Sequence, residues 1–344
     1  MKIISKTFKL LTVFLLVLGV TGCSDDDDNN GGGTQSTTVD EIIDDNPNLS
    51  ILEEALELTD LDDVLEQTGP YTVFAPTNAA FVALLGSNPA WNTLSDIPTA
   101  TLNSVLLNHV IVGNNIPAQA LIDAGSGYET TASPGPAANT NLSLYYNVVA
   151  GTVEINGGSD VTGGADVTTA DLTATNGTVH IVDAVIALPT IATFATTNDA
   201  LSSLVAALQL ADSGTPTVNW INTVSGTENE NLAPFTVFAP TNDAFASLLL
   251  ELDDTGNTEL ADLDPDLVNS VLTYHVVTSA NVQSSGLGAL NGVIPTLGGN
   301  LDLDGTTITD ANGRESEILA PSLVDIQATN GVVHAIDVVI LPPQ

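Results

Sequence analysis

Basic residues are almost missing from this chain. Of 344 residues, four are Lys or Arg, against 42 Asp and Glu. Three of the four are Lys2, Lys6 and Lys9, in a leading segment expected to be removed, which leaves Arg314 alone against every acidic group. Such a surface repels phosphate backbones and anionic lipid heads, so nucleic acid is excluded as a partner and cations or basic protein surfaces are favoured. The acidity also keeps the chain soluble, and salt screens its self-repulsion. Cysteine is scarce as well. Cys23 is the only one, so no disulfide within the chain and no cysteine-based metal site can form. Aromatic residues are 4% of the chain, and no pair of carboxylates is marked as facing across a groove, as glycoside hydrolysis needs. There is no G-x-S-x-G elbow, H-E-x-x-H pair, P-loop or dinucleotide fingerprint. The chain is therefore read as non-catalytic, with no cofactor.

The one long apolar run is Leu10–Val20, behind a lysine-bearing start and ahead of Val20-Thr21-Gly22-Cys23. Its charge, length and small residues predict a signal peptide over residues 1–22. It is short for a membrane span. The VTGC string resembles a bacterial lipobox, which implies cleavage before Cys23 and acylation of that residue. Two or three acyl chains bury enough methylenes for stable anchoring in the outer membrane. Residues 23–37, with four consecutive aspartates and three glycines, read as a flexible tether. An acidic run just after the lipidated cysteine resembles a surface-export signal, so the expected placement faces outward, with a periplasm-facing anchor as the alternative.

The remainder is written twice. Tyr71–Leu85 reads YTVFAPTNAAFVALL and Phe235–Leu249 reads FTVFAPTNDAFASLL. Ser104–Ile111 matches Ser270–Val277, and Asn176–Pro189 matches Asn330–Pro343. Three blocks in one order mean a duplicated domain rather than a short repeat. Boundaries are expected at 38–189 and 190–344.

Within each copy the expected order is two short helices, a buried strand, a capped helix, a middle helix, a β-rich stretch and a final hairpin. Phe74 and Phe238 seat a strand end in the core, Pro76 and Pro240 stop the strand, and Thr77 or Asn78, with Thr241 or Asn242, caps the next helix. A short amide such as Asn78 at that corner can hold several backbone groups at once. Phe81 and Phe245 lie on the apolar face of that helix. Leu102, Val105, Leu106 and His109 are spaced to put the histidine on a helix stripe, as are Val268, Val271, Leu272 and His275. Asn176-Gly177 and Asn330-Gly331 are expected to be the two turn residues of hairpins, at positive φ. His180 and His334 share a strand face with apolar residues and read as satisfied core groups. Ser213–Leu232, with Trp220, has no counterpart of equal length in the first copy and reads as a surface insertion where a binding loop could sit. Asn300–Thr306 faintly resembles a calcium loop but lacks the acid at its twelfth position, and a β-turn is the preferred reading. Calcium is the one cofactor left open, and no other metal site is expected.

These phrases resemble those of the fasciclin (FAS1) family over almost all of residues 38–343. One hallmark matches Thr72–Phe81 and Thr236–Phe245, the other Asn176–Pro189 and Asn330–Pro343. The resemblance implies an α+β fold, each domain a wedge-shaped β-sandwich with helices packed along one edge. It further implies extracellular adhesion through contact with a matrix or cell-surface protein or polysaccharide. The family's tyrosine-histidine contact pair maps onto Tyr274-His275, whereas the first copy has Asn108-His109. The alternative from another class is an envelope module that captures a small apolar or glycan ligand, whose sign would be an apolar pocket of several hundred cubic ångströms.

Overall fold

The computed structural model describes residues 37–159, 161, 163–216 and 218–344. Cys23, the signal peptide and most of the tether lie outside the described residues. Among the described residues no helix is long and apolar enough to cross a membrane.

The first copy starts at Thr38, whose hydroxyl accepts from the Glu41 amide while the Glu41 carboxylate accepts from the Thr38 amide. This reciprocal cap launches α1 (Val39–Asp44). α2 (Ser50–Glu57) and α3 (Asp62–Leu65) follow, then β1 (Tyr71–Pro76), α4 (Asn78–Ser87), α5 (Thr99–Leu107), β2 (Val110–Val112) and α6 (Ala118–Ala124). The β-rich half comprises β3 (Ser126–Pro134), β4 (Asn141–Val149), β5 (Thr152–Ile155), β6 (Ala165–Ala174) and β7 (Gly177–Val182). The strand order is β2-β1-β7-β6-β5-β4-β3. β1 and β7 pair in parallel, Phe74 opposite His180, and both are buried along their whole length. That explains why these two segments read as unbroken apolar runs.

The second copy repeats this order. It runs α7 (Ile191–Thr197), α8 (Ser202–Asp212), α9 (Trp220–Val224), β8 (Phe235–Pro240), α10 (Asn242–Leu252), α11 (Pro265–Thr273) and β9 (Val276–Val277). Short strands β10 (Val293–Pro295), β11 (Asn300–Asp304), β12 (Thr307–Thr309), β13 (Glu315–Glu317), β14 (Ile326–Ala328) and β15 (Gly331–Ile336) complete it. β15 and β8 form the parallel pair, with His334 opposite Phe238. One difference is informative. β6 is a single ten-residue strand with register shifts near Asp171. Its counterpart is divided into β13 and β14, which lie in separate four-stranded sheets. Asp171 and Asp325 both sit in the left-handed region, at φ 62° and 57°. Asp325 lies where the chain passes from one sheet to the other, and Asp171 marks a bulge at the equivalent place within β6. The whole is α+β, helices packed beside strongly bent sheets.

One expectation changes here. The insertion around Trp220 is not surface decoration. It carries α9, the counterpart of α3, and Trp220 is fully buried with its indole N–H donating to Asn269 Oδ1 at 2.8 Å. Length alone made it look like a loop. The Asn300–Thr306 stretch, by contrast, is strand β11 and its turn, as the preferred reading had it, with Gly305 at φ 64° and both aspartates exposed. Just past the boundary between the copies, helix α7 is capped by Thr190 as α1 is by Thr38.

The two copies touch extensively. Gln327 donates its amide to Ser143 Oγ at 2.9 Å, Asn198 Nδ2 donates to the Tyr128 hydroxyl at 3.0 Å, and Thr329 donates its amide to Pro189 O at 2.9 Å. Tyr128 meets Phe194 edge-on, ring centres 5.5 Å apart, and Tyr145 is buried in the second copy's core.

Candidate functional site

The hallmark residues are the joints of the module. Asn176 Oδ1 accepts the Val39 amide at 2.8 Å, and its Nδ2 donates to Leu65 O and Gln67 O at 2.7 and 2.8 Å. One side chain thus fastens the start of α1 and the end of α3 to the final hairpin. Asn330 does the same, Oδ1 to the Ile191 amide and Nδ2 to Val224 O, both at 2.9 Å. Asn78 ties the start of α2 to the start of α4, accepting from the Ile51 amide and donating to Pro47 O and Ser50 Oγ. Asn242 accepts from the Ser203 amide and donates to Asp199 O and Ser202 Oγ. The helix cap itself is Thr77, accepting from the Ala80 amide, and Thr241 in the second copy.

The hairpin turns are displaced by one residue from the expected position. Thr175-Asn176 and Thr329-Asn330 are the turn residues, and Gly177 and Gly331 already lie in strands β7 and β15. None of these six residues has a positive φ. The glycines serve a different need. A Cβ on Gly177 would lie 2.3 Å from Tyr71 O, and one on Gly331 2.3 Å from Phe235 O. Strand β1 or β8 passes too close for any side chain.

The four histidines are buried bridges. His109 and His275 stand just past the ends of α5 and α11, not within them. In each, Nδ1–H donates back to the carbonyl four residues earlier, Val105 O at 2.7 Å and Val271 O at 2.9 Å. Nε2 accepts the amide of Ile186 at 2.9 Å or of Ile340 at 3.1 Å. His180 and His334 use the other tautomer. Nδ1 accepts the amide of Asp171 or Asp325, both at 3.2 Å, and Nε2–H donates to Ile116 O or Val282 O. Loss of solvent pushes His109 and His275 down to about 4, and lowers His180 and His334 as well. Neutral rings with both nitrogens occupied have no valence left for a substrate proton. Phe74 and Phe238 lie beside His180 and His334, ring centres 5.5 and 5.8 Å apart.

The tyrosine-histidine pair separates accordingly. His275 is buried and out of reach of a partner. Tyr274 is half-buried, and Gly298 and Gly299 pass so close that a Cβ on Gly298 would sit 2.3 Å from its ring. Among the described residues, no group of three or more His, Cys, Asp or Glu is placed to hold a metal.

One apolar concave feature was not placed from the sequence. In the second copy a cavity of about 290 Å³ opens between α10, α11 and the C-terminal segment, lined by Leu252, Leu260, Leu263, Leu267, Val271 and Pro342 among others. Its lining is almost wholly apolar. Arg314, the only basic side chain among the described residues, links Glu251 at the end of α10 to the buried Asp310. Asp310 Oδ2 in turn accepts the amide of Leu341, beside the cavity.

The fold and these joints define a duplicated α+β module whose defining residues hold the module together. A fasciclin domain model matches residues 47–189 and 197–342, and the chain belongs to the fasciclin domain family. It is 37% identical over 163 residues to protein sll1483 of Synechocystis, covering 45% of this chain and 74% of that protein. It is 30% identical to human periostin over 293 residues, covering 82% of this chain but only 29% of periostin. The cell surface glycolipoprotein MPB83 of Mycobacterium bovis is 33% identical over 156 residues, 44% of this chain and 60% of its own length. A solved FAS1 domain pair from the insect cell adhesion molecule fasciclin I aligns with 85% of this chain and 97% of its own, at 18% identity and a TM-score of 0.47.

Proposed function

We propose that this chain is a non-catalytic adhesion protein of the cell surface that contacts an extracellular protein or polysaccharide. On this reading it is held to the outer membrane, facing outward, by acyl chains on Cys23. The observation that carries the reading is the match of both copies to the fasciclin family, whose relatives here include a cell surface glycolipoprotein. The non-catalytic part is supported by the histidines, whose ring nitrogens are all engaged by backbone groups. The test is protease treatment of intact cells carrying the full chain or Cys23→Ser. The full chain should be digested without lysis, and the variant should be lost from the membrane fraction. Protection of the full chain until lysis would return it to the periplasmic side, and membrane retention of Cys23→Ser would refute the lipid anchor.

A second reading, capture of a small apolar ligand, is favoured by the cavity beside α10 and α11. Its volume of about 290 Å³ is at the lower end of the range for small-ligand pockets.

A further inference from the structure

The two copies are built alike, so their differences at equivalent positions are informative. In the first copy, Leu94 and Ile97 precede α5 and are 3% and 5% exposed, and Trp91 packs against the same core. Their counterparts Leu260 and Leu263 are only partly buried and border the cavity. The helix-end positions Gly86 and Asn88 become Leu250 and Leu252, and Thr101 on α5 becomes Leu267 on α11. These three leucines are 57%, 56% and 52% exposed, and Leu252 and Leu267 line the cleft. At its lips the second copy has exchanged polar surface groups for protruding leucines, beside positions that are buried in its sister. Exposed apolar side chains clustered around a concave apolar surface mark an interaction site.

Charge indicates what fits. Between Glu251 and Asp266, the segment that frames the cleft, there are seven acidic residues and no basic one. An anionic ligand is repelled there, and a partner with basic residues flanking an apolar stripe is attracted. A cleft between two helices with apolar lips suits an amphipathic helix, whose side chains at helical spacing enter the groove. The protruding leucines argue against a buried alkyl chain, which would use the cavity and leave the lips in water. We infer that the α10–α11 groove of the second copy docks a basic amphipathic helix presented by a partner protein. The inference rests on the adhesion reading and specifies its contact surface.

The test uses the full chain and two synthetic helical peptides of about 18 residues with one leucine stripe, one carrying lysine and the other glutamate at the remaining positions. Binding is measured by titration calorimetry in physiological salt. The lysine peptide should bind the full chain, and Leu252→Ser and Leu267→Ser should each weaken it about tenfold. Both side chains are already half in water, so these variants should fold. Val82→Ser, an exposed residue on α4 of the first copy at 62%, should leave binding unchanged. Equal affinity in all three variants would mean diffuse attraction to an acidic surface and overturn the inference. So would equal binding of the glutamate peptide, or binding of decyltrimethylammonium with none of the lysine peptide. Failure here with surface display and cell adhesion intact would refute this groove and leave the adhesion reading standing.

Discussion

Acidification should destabilise each copy through the histidine that follows its middle helix, by an amount that can be calculated. His275 is neutral in the fold, its affinity for a proton lowered to about 4 by burial, against an unfolded value of 6.5. The depressed folded value means that the unfolded chain binds the proton first. The stabilisation is thus complete above 6.5, and falls as pH drops until the folded ring also protonates near 4. The full difference is about 3 kcal/mol, and by pH 5 about 2 kcal/mol is lost. Other groups also titrate. Asp40, pushed up to about 6 by burial and by Glu66 and Asp62 beside it, has the opposite sign and gains stability on acidification. Comparison with His275→Gln cancels these contributions. The variant is weaker at pH 7 because it loses at least one of the two backbone bonds. Urea unfolding at pH 7 and pH 5 should show its deficit relative to the parent shrinking by about 2 kcal/mol. A constant deficit would refute the buried neutral ring. So would an NMR titration of the parent placing the His275 imidazole near 6.5. His109→Gln should behave alike in the first copy.

Other outcomes follow from the joints. Asn176→Ala removes three hydrogen bonds and strands backbone groups of α1 and α3, which should cost about 2–4 kcal/mol in urea unfolding; Asn176→Asp should not restore it, since a carboxylate would face Leu65 O and Gln67 O. Gly177→Ala should cost more than about 2 kcal/mol, because the added methyl meets strand β1 backbone that cannot retreat without breaking the parallel pair; a neutral effect would refute that close approach. Tyr128→Ala should uncouple the copies, so that calorimetric unfolding splits into two steps, whereas Tyr128→Phe, losing only the bond from Asn198, should shift the transition by about 1 kcal/mol.

The duplication, the helix order and the buried parallel strands were legible because they depend on local phrases and apolar runs. The turn position was not. Asn-Gly is a strong local signal for a two-residue turn, but here each residue answers to something distant in sequence: Asn176 to α1 and α3, Gly177 to a carbonyl of β1. Trp220 misled for a related reason, since a longer connection looks like decoration until its indole is seen filling the core. The helical spacing placed His109 and His275 on helices that end two residues before them, though the bond to the carbonyl four residues back preserves the geometry that the spacing suggested. The α10–α11 groove depended on what surrounds two leucines. Aligning the copies position by position, Asn88 with Leu252 and Thr101 with Leu267, would have flagged it.

Pro189 closes one copy and Thr190 caps the first helix of the next, with Tyr128, Phe194, Ser143 and Gln327 locked across the junction. These contacts oppose a swivel of one copy against the other. On the adhesion reading proposed above, two grips on such a pair would favour counterparts at one matching spacing, because a mismatch could not be met by swivelling.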